Sequence, residues 1–390
     1  MKIWFLALGL FFVMRANGQT PGDSVRQSYP VLEVTPHLGY IVKNSGQVPE
    51  SKRTMFVEFN PSVQTNGSRE WHHIFGFPRI GCSLMAGDLG NSRELGHFWG
   101  VAPNITFNTL NPKWYSPRVT LGLGLAYFNR PYNETENPLN FYIGSHITAL
   151  ATSAVFVEPA INSQFSLKAG IRVVHCSNGH YQVPNLGLNM PSVFFGIVYT
   201  PNGTPEVRRR NILVPPSKLK FNLRLGIGVN ELARTFGPAG TSKYAIYMTD
   251  VYVSRRVGKA SNLQLGLEMK YYNGFYQYIK RNNLFERDWT QKSTVFGFFV
   301  GHELLINRFS LLTQGGINLY NEFYDKYIQQ YKSEKGLQAD LKKLISTRLG
   351  VQYYLFNPAY ATRNNIFIGG YIKANFGMAD FICTQVGFVF

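Results

Sequence analysis

The sequence predicts an all-β fold that closes as a transmembrane antiparallel β-barrel, and three observations carry that prediction. Apolar residues alternate with small or polar ones in segment after segment, glycine and aromatics are abundant while charge is sparse, and the last segment, Phe381 to Phe390, alternates to the end. Aromatic residues fill 15% of the 390 positions and charged residues 16%, with 37 Gly, 23 Tyr and 30 Phe. This mixture suits a sheet with an apolar outer wall, aromatic girdles at the water interfaces and a lumen crowded enough to need small residues.

The N-terminus reads as an address and not as part of the fold. Lys2, an apolar run from Ile3 to Met14 and the small residues around Ala16-Asn17-Gly18 form a cleavable secretory leader over residues 1–18. No later stretch approaches the ~20 consecutive apolar residues of a membrane helix, so the mature chain meets a membrane as a barrel or on its surface. The net charge of +17 favours anionic phosphates. For an exported barrel those belong to lipid head groups, not to nucleic acid. Cys82, Cys176 and Cys383 fit neither a disulfide framework nor metal-ligand spacing, and neither a metal nor an organic cofactor is expected.

Strands are predicted at roughly 31–43, 53–65, 72–88, 95–109, 115–131, 141–158, 165–177 and 190–200, making residues 19–200 an eight-stranded half. Val119 to Tyr127 is the clearest of them: its odd positions are all apolar, and the even ones are Thr120, Gly122, Gly124 and Ala126. Residues 201–216, with Pro201, Pro205, Pro215, Pro216 and the run Arg208-Arg209-Arg210, break the pattern and are predicted to be a linker. A second half, 217–390, follows with strands at roughly 218–230, 243–257, 261–273, 293–305, 307–320, 345–357, 364–377 and 380–390. Two tandem barrels and one sixteen-stranded barrel both satisfy this count. The long linker favours separate closure, because periplasmic turns are short. With the N-terminus in the periplasm, the turn after the seventh strand and the segment 321–344, helix-like at 336–344, lie outside the cell.

The chemistry sits in the hairpin from Ser166 to Thr200. Leu167, Ala169, Ile171, Val173, His175 and Ser177 share one face, which Val193, Phe195, Ile197 and Tyr199 continue on the return strand. Asn189 has the same parity. A hydroxyl, an imidazole and an amide thus meet on a face that otherwise reads as lipid-exposed, a costly place for idle polar groups. Taken singly, Asn178-Gly179 and Pro184-Asn185 are turn chemistry and a rim histidine is a girdle residue. Their joint placement is what marks a site. Cys176, of opposite parity, is expected to face the lumen, and His180 and Tyr181 to border substrate.

His175-Cys176-Ser177-Asn178-Gly179, followed by Pro184-Asn185, Gly187 and Asn189, resembles the signature of PagL-type lipid A 3-O-deacylases. The likeness covers about residues 31–200. It implies an eight-stranded outer-membrane barrel that removes an ester-linked acyl chain from lipid A, the lipid part of lipopolysaccharide. By that resemblance Ser177 is the nucleophile and His175 its base, and Asn178 and Asn185 are candidate oxyanion donors. The third triad member in that pattern is a glutamate, and here it is Asn189, which can orient the ring but supplies no charge. The closing hairpin at 366–390 lacks the His-x-Ser pair, so activity is expected in the first half. The terminal Phe390 resembles the assembly signal of outer-membrane barrels.

Two other readings stand beside this one. The first is a non-catalytic barrel, structural or channel-forming, that retains a remnant site. The second is a soluble exported barrel that binds an apolar ligand. The sequence carries no signal for oligomeric state.

Overall fold

The computed structural model describes residues 28–43, 48–108, 116–232, 241–330, 337–360 and 364–390. The leader expected at 1–18 lies outside them. In the first half, strands form where the alternation is cleanest: β1 (Pro30–Gly39), β2 (Thr54–Gln64), β3 (Arg79–Asp88), β4 (His97–Phe107), β5 (Arg118–Phe128), β6 (Ile147–Val157), β7 (Phe165–Ser177) and β8 (Leu188–Tyr199). The second half contributes β9 (Lys220–Glu231), β10 (Lys243–Val257), β11 (Ser261–Tyr272), β12 (Thr294–Ile306), β13 (Phe309–Tyr320), β14 (Ile345–Tyr354), β15 (Asn365–Asn375) and β16 (Met378–Val389).

The sheet closes twice. β1 pairs with β8 and β9 with β16, all antiparallel, giving two eight-stranded barrels and no sixteen-stranded one. Closure satisfies every ladder and leaves no edge strand. Among the described residues no helix is long and apolar enough to cross a membrane. The period-two pattern appears as alternating exposure: Met55, Leu125, Ile147 and Ile171 point outward, with Met55 62% exposed, while Phe56, Ala126, Thr148 and Arg172, the next residue along each strand, are buried.

Two predicted strands start too early. Residues 70–74 form a one-turn helix, and β3 begins only at Arg79. Gly76 and Phe77, both at positive φ, turn the chain just before Pro78. The sixth strand starts at Ile147 and not near 141, because residues 141–144 are a strap tied to its neighbours: Tyr132 N–H donates to Ile143 O, and Leu186 N–H to Phe141 O. The helix at Leu337–Leu344 falls where the sequence suggested one, and another forms at Asn273–Asn282, where none was expected.

Both lumens are filled. In the first barrel Arg79 forks onto Glu158 at 2.7 Å, Arg172 meets Glu58 at 2.8 Å, and Lys168 pairs with Glu33. Toward the β7–β8 turn this gives way to an apolar plug that includes Phe98, Phe128, Val174, Cys176, Leu188 and Met190. The second barrel repeats the arrangement, with Asp250 between Arg224 and Arg348, both at 2.7 Å, and Phe275 stacked on Phe323 above. Buried charges are tolerated only when paired in this way.

Candidate active site

β7 and β8 carry the predicted site to one end of the first barrel. Their register sets His175 directly opposite Asn189, and on the other side β6 places Ala151 beside His175 and Ala149 beside Ser177. Two alanines next to the polar pair keep the outer face recessed at that point. Behind it, Val174, Cys176, Leu188 and Met190 anchor the hairpin in the apolar plug, since alternate side chains face the lumen. Cys176 therefore faces inward, as its parity predicted, and is fully buried.

The imidazole is oriented by its partner. His175 Nδ1 lies 2.8 Å from Asn189 Oδ1. With the amide oxygen toward the ring, Nδ1 carries the proton and Nε2 is left as the basic nitrogen. Gly187 closes over the same ring: at φ +73° it approaches so near that a Cβ there would lie 3.3 Å from His175 Cε1.

Ser177 is covered, with 5% of its surface exposed, although its parity is outward. The loop 178–187 folds over it. Asn185 Nδ2 donates to Ser177 Oγ at 2.9 Å, and the Gly179 N–H donates to the same oxygen at 3.2 Å. Both acceptor positions of the hydroxyl are thus filled, and its own proton has no acceptor among the described residues. Ser177 and His175 are not joined by a hydrogen bond; they share a strand face two residues apart.

The two asparagines separate in role. Asn178 uses its side-chain amide to donate to Ser145 Oγ at 3.2 Å and Gln182 O at 2.7 Å, which pins the loop. Its backbone N–H donates to Asn185 Oδ1 at 3.0 Å and so turns the Asn185 amide toward the serine. The Gly179 amide was not singled out from the sequence, because a backbone donor leaves no signature in residue type. His180 and Tyr181, expected beside substrate, meet the second barrel: His180 O accepts from Glu231 N–H, and Tyr181 packs under Lys243.

Beside the loop is a polar cavity of about 300 Å³ whose lining includes Arg130, Asn133, Glu136, Ser145, His146 and Gln182. Gln182 thus belongs both to the cavity wall and to the loop that covers Ser177, and Ser145, on the same wall, accepts from that loop's Asn178. Among the described residues no group of His, Cys, Asp or Glu is arranged to hold a metal ion.

Comparison with known proteins assigns each barrel separately. Residues 56–198 match the family model for lipid A 3-O-deacylase (PagL), and residues 219–361 match that for the acyloxyacyl hydrolase, C-terminal domain. A search of curated proteins finds no match. Among solved structures, the outer membrane enzyme PagL aligns at 18% identity over 42% of this chain and 97% of its own, with a TM-score of 0.33. The β domain of the Bordetella autotransporter BrkA aligns at 8% identity over 94% of this chain and 99% of its own, with a TM-score of 0.25. With a matching family model in each barrel, the chain belongs to the PagL-type lipid A 3-O-deacylase family of outer-membrane barrels.

Proposed function

We propose that this protein is an outer-membrane ester hydrolase that removes an acyl chain from lipid A, with Ser177 as nucleophile and His175 as base. The observation that carries the reading is the paired orientation at the site: His175 is held through Nδ1 by Asn189, and Ser177 Oγ lies at hydrogen-bond distance from two N–H donors. His175 Nε2 takes the hydroxyl proton as Oγ bonds to the ester carbonyl carbon. The carbonyl electron pair moves onto oxygen, for which the Asn185 amide and the Gly179 N–H, both beside Ser177 Oγ, are the candidate donors. Collapse of that intermediate breaks the ester C–O bond, and the departing sugar oxygen takes the proton from His175. Water then repeats the cycle on the acyl-serine and releases the fatty acid.

The surroundings suit an amphiphile of this class. Exposed Ile171, Val173, Val193 and Phe195 offer an apolar wall for acyl chains on the site's own face. The polar cavity with Arg130 and His146 adjoins the loop and offers polar groups to a phosphorylated saccharide. Side chains fill both lumens, which argues against a channel, and the belt of exposed apolar residues argues against a soluble carrier.

A non-catalytic scaffold is the competing reading, favoured by the neutral Asn189 where the family pattern has a carboxylate. Purified protein in detergent, mixed with lipopolysaccharide, separates the two. Release of free fatty acid that Ser177→Ala abolishes supports the hydrolase, and equal release or none from both proteins supports the scaffold.

A further inference from the structure

The loop that covers Ser177 is gripped from both barrels. On the first barrel's side, Leu186 N–H and Gly187 N–H donate to Phe141 O and Tyr142 O. On the other side stands Glu231, the last residue of β9, fully buried. Its backbone N–H donates to His180 O at 3.0 Å, and its Oε2 accepts from Val183 N–H at 2.8 Å. Its other oxygen, Oε1, accepts from Thr241 N–H at 2.5 Å and from Thr241 Oγ1 at 2.8 Å. One buried carboxylate thereby ties the loop of the first barrel to the β9–β10 turn of the second. Charge-assisted bonds to backbone N–H groups are among the stronger ones available to a protein.

Neighbouring contacts reinforce the same junction. Lys243 Nζ lies 3.8 Å from the centroid of the Tyr181 ring. Gly179 packs so closely on β16 that a Cβ there would fall 2.2 Å from Ile382 Cγ2. Gly179 is also the residue whose N–H reaches Ser177 Oγ, so the second barrel touches the very peptide that contacts the nucleophile.

We propose that the second barrel is part of the catalytic unit, with Glu231 as a positioning residue that holds residues 178–183, and with them the Gly179 amide, in place at Ser177. This rests on the ester-hydrolase reading above. A donor aimed at a developing oxyanion is effective because it is in place before the charge appears. Loosening the loop therefore lowers kcat and leaves ground-state binding of lipid A largely unchanged.

The test uses the full chain in detergent with lipopolysaccharide as substrate. Glu231→Ala is expected to lower kcat about 10- to 100-fold while KM stays within about twofold and the barrels keep heat-modifiable migration. Glu231→Gln, which retains one acceptor oxygen, is expected to fall between. A readout independent of catalysis is a cysteine pair, Tyr181→Cys with Lys243→Cys, bridged by a short bis-maleimide. The bridge should form readily in the parent chain, poorly with Glu231→Ala, and once formed should restore kcat to the Glu231→Ala protein. An unchanged kcat, a change confined to KM, or a bridged Glu231→Ala protein that stays slow would overturn the proposal. If the parent chain releases no fatty acid, the hydrolase reading is what fails, and bridge formation alone then decides whether Glu231 holds the loop.

Discussion

His175 and Asn189 stand directly opposite each other in the β7–β8 ladder, and the ring Nδ1 lies 2.8 Å from the amide Oδ1. The pair supplies orientation without charge. An amide fixes the tautomer that leaves Nε2 basic, but it does not stabilise the imidazolium formed as the serine attacks. Asn189→Ala is therefore expected to slow deacylation by on the order of 10-fold, since only ring orientation is lost. Asn189→Glu restores the carboxylate and is expected to raise kcat, read from the initial rate of fatty acid release.

Ser177→Ala and His175→Ala are each expected to lower kcat roughly a thousandfold or more, and the double variant to lose little beyond either single one. Groups that act in one proton transfer are not additive. Both variants should retain membrane assembly, because neither side chain belongs to the lumen network or the apolar plug.

Gly187 is constrained twice, by its φ of +73° and by its approach to His175 Cε1. Gly187→Val is expected to destabilise the hairpin by roughly 1–2 kcal/mol through the left-handed backbone alone. It should also slow turnover by about 100-fold through displacement of the ring. Urea unfolding in detergent reads the first effect, and fatty acid release the second.

The lumen of the first barrel makes a separate prediction. Glu58 forms an ion pair with Arg172 at 2.8 Å, lies 3.3 Å from His37 Nε2, and takes a hydrogen bond from Ser83. Glu58→Ala leaves the Arg172 charge buried without that partner and is expected to cost about 3–5 kcal/mol. Loss of heat-modifiable migration at lower temperature is the measurement that checks it.

All of the strands were legible in the sequence because one physical rule writes them: lipid outside and a packed lumen inside impose period two. Residues 70–77 and 141–146 escaped because a positive-φ turn at Gly76-Phe77 and the strap hydrogen bonds of Phe141 and Ile143 override that rule locally. Ser177, His175 and Asn189 shared a face by parity, and the ladder puts His175 and Asn189 in contact. The Gly179 donor was not legible, since it comes from a backbone amide, and neither was Glu231, which lies 48 positions beyond Val183 and reaches it only after both barrels have closed. The sequence left one barrel or two undecided, and closure of β1 on β8 decides it.

The most direct measurement is mass spectrometry of lipid A from cells that express the full chain, compared with cells that express Ser177→Ala at equal outer-membrane levels. Loss of one ester-linked acyl chain from lipid A with the parent chain, and intact lipid A with Ser177→Ala, is the predicted result. The same acyl loss with both proteins would contradict Ser177 as the nucleophile, and intact lipid A with both would contradict the deacylase itself.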